Sequence, residues 1–258
     1  MFSEWRDSME ERSLMRVESN IEVAYKTFEM ILSGDQVKEM LQAGQFLHLK
    51  MKNPNLLLRR PISIASIDEE TCTLLYKVVG KGTEEMSEYE VGDQLDVLGP
   101  LGNGFHYEFL KENDTALVIG GGIGVAPLYE LGKRLVKDGI EVTFVLGFAS
   151  AKDVYYEAQF RELGNVVITT DDGSQGVHGH VGKGVDTLKL KPSAVFACGP
   201  LPLNMFVQSR FSEDEHVYLS LEERMACGIG ACYACDTKKK DKRVCHDGPV
   251  FHRREVDL

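Results

Sequence analysis

Cysteine is sparse in this 258-residue chain, yet four of its six cysteines fall between Cys227 and Cys245. Cys227, Cys232 and Cys235 read CxxxxCxxC, and Cys245 follows after nine further residues. That opening is the plant-type spacing for a [2Fe-2S] cluster, whose two irons need four thiolates converging on a small core. Gly228 and Gly230 suit such a loop, because backbone N–H groups must approach sulfur in conformations that a β-carbon disfavours. Two other uses of four thiols stay open at this point. A four-cysteine zinc site usually pairs two short knuckles, whereas three thiols crowd into one stretch here and a single one arrives from elsewhere. Disulfides need an oxidising compartment, and the opening residues MFSEWRDSMEER offer no apolar segment as an address to one. Cys245 comes sooner than the fourth ligand of plant-type ferredoxins, so the expectation is the cluster type without the ferredoxin fold.

Three other stretches could hold phosphate. Arg59 to Ser63 read RRPIS, and an arginine with a nearby hydroxyl can bind a phosphate and a flavin edge together. Gly80 to Thr83 read GKGT, a glycine turn whose exposed N–H groups could hold a pyrophosphate. Gly120 to Pro127 read GGGIGVAP, directly after the apolar run Ala116 to Ile119. A glycine turn between a strand and a helix presents free amides and the helix N-terminus to a nucleotide, although these glycines do not spell GxGxxG. Each patch alone also fits an ordinary turn.

The elements that must position these patches follow from hydrophobic pattern. From Leu14 to about Phe109 short strand-like runs, IEVAYKTFEMIL, FLHLKM, CTLLYKVV and QLDVLG, alternate with Gly, Pro, Asn and Asp, which predicts a small antiparallel barrel. Beyond it, EVTFVLGF, NVVITTDDGS and AVFACGP read as strands, and Leu128 to Lys137 and YYEAQFREL as helices. That alternation predicts a doubly wound parallel sheet. The fold class is therefore mixed β and α/β: an antiparallel β-barrel, a doubly wound nucleotide domain, and a small C-terminal [2Fe-2S] segment. A formal charge of −11 and a pI near 5.2 argue against a nucleic-acid binder, and no apolar run has the length of a membrane span, so a cytoplasmic chain is expected.

Taken together, RPIS, GKGT, GGGIGVAPL and CGP resemble the ferredoxin reductase superfamily, in which a flavin barrel precedes a nicotinamide-nucleotide domain. With LEERMACGIGACYAC and VCHDGPVF added, the chain resembles, from about Leu14 to Phe251, the electron-transfer subunits of type B, NAD-linked dihydroorotate dehydrogenases. The resemblance implies an N-terminal extension at residues 1–13, an FAD-binding barrel at 14–110, an NAD-binding domain at 111–216 and a cluster-binding segment at 217–258. It implies that Arg60, Pro61, Ile62 and Ser63 hold FAD, that Leu75, Tyr76 and Lys77 line it, and that Gly82 and Thr83 bind its pyrophosphate. Gly120, Gly121, Gly122 and Gly124 would face NAD, with Cys198, Gly199 and Pro200 near the nicotinamide. Cys227, Cys232, Cys235 and Cys245 would be the cluster ligands, and no general acid or base is assigned.

The implied partner is an FMN-containing dihydroorotate dehydrogenase catalytic subunit in a 2+2 heterotetramer, with electrons running from dihydroorotate through FMN, cluster and FAD to NAD. A flavin suits the junction because it takes a hydride yet passes electrons singly. A reductase subunit of another complex, of ferredoxin:NADP, sulfide dehydrogenase or glutamate synthase type, shares these motifs, and a zinc-stabilised interaction module is the non-enzymatic alternative. NAD is expected over NADP because ASAKD, after EVTFVLGF, offers Lys152 as its one cation. Bland roles compete at several positions: strand packing for Leu75 to Lys77 and for Cys198, a core or surface thiol for Cys72, a polar loop for His178 and His180. Lys238 to Arg243, KKKDKR, reads as a solvated hairpin able to steer an acidic partner.

Overall fold

In Arg12–Ala24 (β1) and Thr27–Ser33 (β2) alternate residues point inward, so Met15, Val17, Met30 and Leu32 are fully buried while Leu14 and Ile21 face out. The computed structural model describes residues 12–258, and the extension expected at 1–13 lies outside it through residue 11. The run IEVAYKTFEMIL is a hairpin rather than one strand: it breaks at Tyr25 and Lys26, where Lys26 takes the left-handed φ of 54°. Phe46–Lys50 (β3), Arg60–Ile67 (β4), Thr71–Lys77 (β5) and Gln94–Leu101 (β6) complete a closed antiparallel barrel in the order β1-β2-β5-β4-β3-β6. Between β5 and β6, Lys81–Ser87 forms α1. GKGT is therefore the start of a helix and not a glycine turn: the Thr83 hydroxyl accepts from the Val79 and Gly80 N–H groups at 2.9 and 3.3 Å and caps it.

The second unit alternates as its pattern requires. Thr115–Gly121 (β7), Ala126–Lys137 (α2), Glu141–Phe148 (β8), Glu157–Leu163 (α3), Asn165–Thr170 (β9), Val177–His178 (β10), Val181–Asp186 (α4), Ala194–Cys198 (β11), Leu201–Arg210 (α5), Val217–Ser220 (β12) and Val250–His252 (β13) follow in order. The sheet runs β10-β9-β8-β7-β11-β12-β13, parallel except for the β12–β13 edge. Chain order reverses between β7 and β11, so the glycine loop after β7 and the Cys198-Gly199-Pro200 turn after β11 emerge side by side, where open α/β sheets bind ligands. His180 lies in the short loop between β10 and α4, where its Nδ1 accepts from the Gly182 N–H at 3.0 Å and caps α4.

The cysteine segment is an excursion between β12 and β13 and not a free appendage. Its return strand pairs with the nucleotide sheet, and Cys235, Val244 and Cys245 share an apolar cluster with Phe46 and Leu101 of the barrel and Phe251 of β13. The barrel and sheet are also joined by charge. Glu130 of α2, almost fully buried, accepts from the Ile67 N–H at 3.0 Å and pairs with Arg134 at 2.7 Å and Lys133 at 3.2 Å. Removing Lys133 and Arg134 would leave the buried Glu130 carboxylate short of partners, so this contact ties α2 to the barrel. Among the described residues no helix is long and apolar enough to cross a membrane.

Candidate functional site

A cavity of about 530 Å³ opens where the barrel, the sheet switch point and the cysteine segment meet. Arg60, Pro61, Ile62 and Ser63 on β4, Leu75, Tyr76 and Lys77 on the adjoining β5, and Gly82 and Thr83 on α1 all line it. Two patches far apart in sequence become one wall, because the Arg60 guanidinium lies across Gly82 and donates to the Leu58 carbonyl. The wall carries a cation and a hydroxyl over an apolar floor, which suits a planar ring with a phosphate tail. Tyr76 only borders the space: it is 1% exposed, stacks on Phe28 in the barrel core with centroids 5.7 Å apart, and donates to Asn20 Oδ1 at 2.9 Å. Lys77 turns its ammonium to Asp153 Oδ1 at 2.8 Å, tying the barrel to the nucleotide unit.

On the opposite wall stand Gly124 and Cys198. A β-carbon on Gly124 would lie 2.6 Å from the Cys198 carbonyl oxygen and the Gly199 Cα, so the glycine loop can nest against the β11 turn only without one. Gly120, Gly121 and Gly199 are buried beneath this surface, Gly122 opens outward at a φ of 55°, and Pro200 is exposed at the start of α5. Gly124→Ala is expected to weaken NADH binding about tenfold or more, because the neighbours it meets are backbone and must shift, while FAD content holds. Ligand titration monitored by flavin fluorescence checks this, and unchanged NADH affinity would remove the loop from the site.

Tyr155 was not legible as a site residue. Its hydroxyl donates to the carbonyls of Gly122 and Ile123 at 3.0 and 3.4 Å and so fixes the glycine loop. Burial and the Glu222 carboxylate push the Cys198 thiol well above its usual range, so it sits there as a neutral thiol. Glu222 lines the same space, and enclosure raises its carboxyl. In the loop after β8, Lys152 places its ammonium 4.3 Å over the Tyr25 ring, and Asp153 faces Lys77.

The four cysteines stand in two pairs, Cys227 with Cys232 and Cys235 with Cys245. The Cys232 N–H points at Cys227 Sγ at 3.3 Å, the Gly230 N–H at Cys245 Sγ at 3.2 Å, and the Cys245 N–H at Cys235 Sγ at 3.5 Å. Burial pushes the Cys227 thiol up, but N–H groups of Ile229, Cys232 and Ala231 outweigh it and bring it down to about 7. Burial, with Cys235 beside it, pushes the Cys245 thiol up to about 12. Among the described residues no three His, Cys, Asp or Glu side chains are grouped to hold a single metal ion. Two pairs with amides aimed at sulfur suit a two-iron core, which these four thiolates would hold.

The hairpin at Lys238 to Arg243 is present but is not a free cationic patch. Lys239 pairs with Asp257 at 2.9 Å, Lys242 with Glu255, and Lys238 donates to the Leu258 carbonyl at 3.3 Å. Arg243 donates to the Gly230 carbonyl and stacks on Tyr233 at 4.7 Å, so it braces the cysteine loop. His48 of β3, a lone histidine in an apolar strand, reaches that loop from the barrel: Gly228, at a φ of 79°, passes so close that a β-carbon would lie 2.5 Å from His48 Nδ1. Burial and the Arg59 cation lower its ring to about 4, and neither ring nitrogen has a hydrogen-bond partner. A buried polar group left so costs about 1–3 kcal/mol.

Comparison with known proteins adds three family matches. Residues 15–107 match an oxidoreductase FAD-binding domain, 118–209 an oxidoreductase NAD-binding domain, and 222–257 the iron-sulfur cluster binding domain of dihydroorotate dehydrogenase B. A relative from Enterococcus faecalis, named dihydroorotate dehydrogenase B (NAD(+)), electron transfer subunit, is 46% identical over 96% of this chain and 98% of its own. One of the same name from Listeria innocua is 51% identical over 95% and 98%. A solved structure of NADH-dependent reduced ferredoxin-NADP oxidoreductase superposes with a TM-score of 0.83 at 30% identity, covering 95% of this chain and 90% of that one.

Proposed function

The chain belongs to the family of dihydroorotate dehydrogenase B electron-transfer subunits, and from that premise we propose that it carries electrons between a catalytic subunit and NAD through a [2Fe-2S] cluster and FAD. It is an oxidoreductase subunit with FAD-, NAD- and iron-sulfur-binding domains, and it works with a catalytic partner. In the finer proposal that partner bears FMN, oxidises dihydroorotate in pyrimidine synthesis and joins as a 2+2 heterotetramer. One observation carries the reading: Phe46 and Met225 line the cavity and also pack with Cys235 and Cys245, so the flavin cavity and the cysteine loop share a wall.

FAD, when bound, supplies the exchange between a two-electron hydride and single electrons. The residues of this chain supply position. Arg60 and Ser63 would hold FAD around its flavin and phosphate, with Gly82 and Thr83 at its pyrophosphate. Gly124 and Tyr155 shape the loop that receives the nucleotide, and Cys198 fills the place beside it as a neutral thiol. Phe46 and Met225 keep water out of the gap between cavity and cysteines. No residue is assigned as a general acid or base, although single electrons balance against a hydride only with one proton exchanged between the flavin and solvent.

A reductase subunit for another acceptor is the second reading, favoured by the likeness to the ferredoxin-NADP oxidoreductase structure. The cofactor test is anaerobic titration of the purified chain with either nucleotide. NADH is expected to bleach the flavin and raise the reduced-cluster EPR signal at concentrations about tenfold or more below NADPH, since a 2′-phosphate would meet Lys152 as the one cation of ASAKD and no arginine. A preference for NADPH would overturn the assignment to NAD.

A further inference from the structure

His48 stands on β3 directly opposite Pro61 of β4, and residues so paired share a face, so its ring lies on the side of the barrel that carries the flavin cavity. Its other neighbour is the loop of the first cysteine ligand, with Gly228 pressed on Nδ1. The ring is 0% exposed. The Cys227 and Arg59 carbonyls face the ring as its nearest acceptors, but neither meets either nitrogen in good hydrogen-bond geometry. A buried imidazole keeps at least one N–H whatever its tautomer or charge, so this position holds a donor without a well-formed hydrogen bond in the protein. What the site is built to receive, a cluster of thiolate and sulfide sulfurs, is an acceptor.

We propose that His48 donates its ring N–H to a sulfur at the Cys227 end of the iron-sulfur cluster and thereby raises the cluster's reduction potential from the flavin-facing strand. The reduced cluster carries one more negative charge, so a donor aimed at its sulfur stabilises that state over the oxidised one. Placing the donor on β3 couples tuning to the barrel: a shift of the strand that carries Phe46 at the flavin wall moves the hydrogen bond at the cluster. His48 is thus a positioning and tuning residue. The proposal rests on the reading of Cys227, Cys232, Cys235 and Cys245 as ligands.

The experiment is an EPR-monitored redox titration of the anaerobically purified holoprotein as wild type, His48→Leu and His48→Gln, with histidine-nitrogen hyperfine spectroscopy on the wild type. Leucine is expected to disfavour the reduced cluster about tenfold, which is about 59 mV for a one-electron couple, and glutamine, which keeps a donor, to recover most of it. The wild type is expected to show a histidine-nitrogen coupling. A loaded His48→Leu protein with unchanged potential overturns the proposal. If that variant cannot hold the cluster, the wild-type spectrum decides, and the absence of a histidine coupling overturns it. A wild type with no cluster signal would instead bring down the ligand reading beneath it.

Discussion

Serine at Cys235 or Cys245 is expected to abolish the reduced-state EPR signal, and serine at Cys227 or Cys232 to leave at most a weak and altered one. The gradation follows from burial. Cys235 and Cys245 are 1% and 2% exposed, inside the apolar cluster formed with Phe46 and Phe251. A serine there is a harder and poorer ligand for iron and leaves a hydroxyl in an apolar enclosure, which costs about 1–3 kcal/mol besides the lost bond. Cys227 and Cys232 are half-buried, so serine oxygen or water can reach the iron and retain part of a cluster. FAD content is expected to hold in all four variants, because Arg60, Ser63 and Thr83 stand on the barrel. Cys72→Ala is the control: its thiol is wholly inside the barrel core, pushed up to about 12 by burial, and should cost stability without touching the signal. Any one of the four that gives an unchanged signal when replaced is not a ligand.

The gathering of the cysteines on one loop was legible because thiols three to five residues apart are held together by chain reach, which sequence states directly. The barrel and the doubly wound sheet were legible from period and punctuation, and with them the meeting of GGGIGVAP and CGP at the switch point. What escaped notice depended on contacts between distant residues. His48 in FLHLKM looks like any half-buried strand residue until Gly228 is laid upon it. Tyr155 looks like a helix residue, but Tyr156 takes a left-handed φ of 59° and the helix begins only at Glu157, which frees Tyr155 to turn into the glycine loop. GKGT reads as a turn because glycine punctuates, yet the Thr83 hydroxyl makes it a helix start. KKKDKR reads as a solvated hairpin able to steer a partner, and that two of its lysines pair with Glu255 and Asp257 escaped notice because these come later in the chain.

The largest effect is expected from the partner. Alone, this chain is expected to oxidise NADH with artificial one-electron acceptors but to give background NAD reduction with dihydroorotate. Co-expressed with an FMN-bearing dihydroorotate dehydrogenase subunit, it is expected to elute as one complex and raise that rate about a hundredfold or more. The reason is where the electron path ends. The cavity wall leads through Met225 to Cys235 and Cys245, and the loop beyond them surfaces with Tyr233 73% and Ile229 37% exposed. Apolar and aromatic groups over a cofactor loop suit a docked protein, since aromatic side chains anchor interfaces. The pairing of Lys239 and Lys242 within the chain leaves less charge to steer the encounter, so the complex should depend more on this apolar surface than on salt. Tyr233→Asp is therefore expected to lower dihydroorotate-dependent NAD reduction tenfold or more, about 1.4 kcal/mol, while the NADH rate with an artificial acceptor holds. If no complex forms, dihydroorotate turnover stays at background and a ferredoxin is reduced rapidly instead, the second reading takes over.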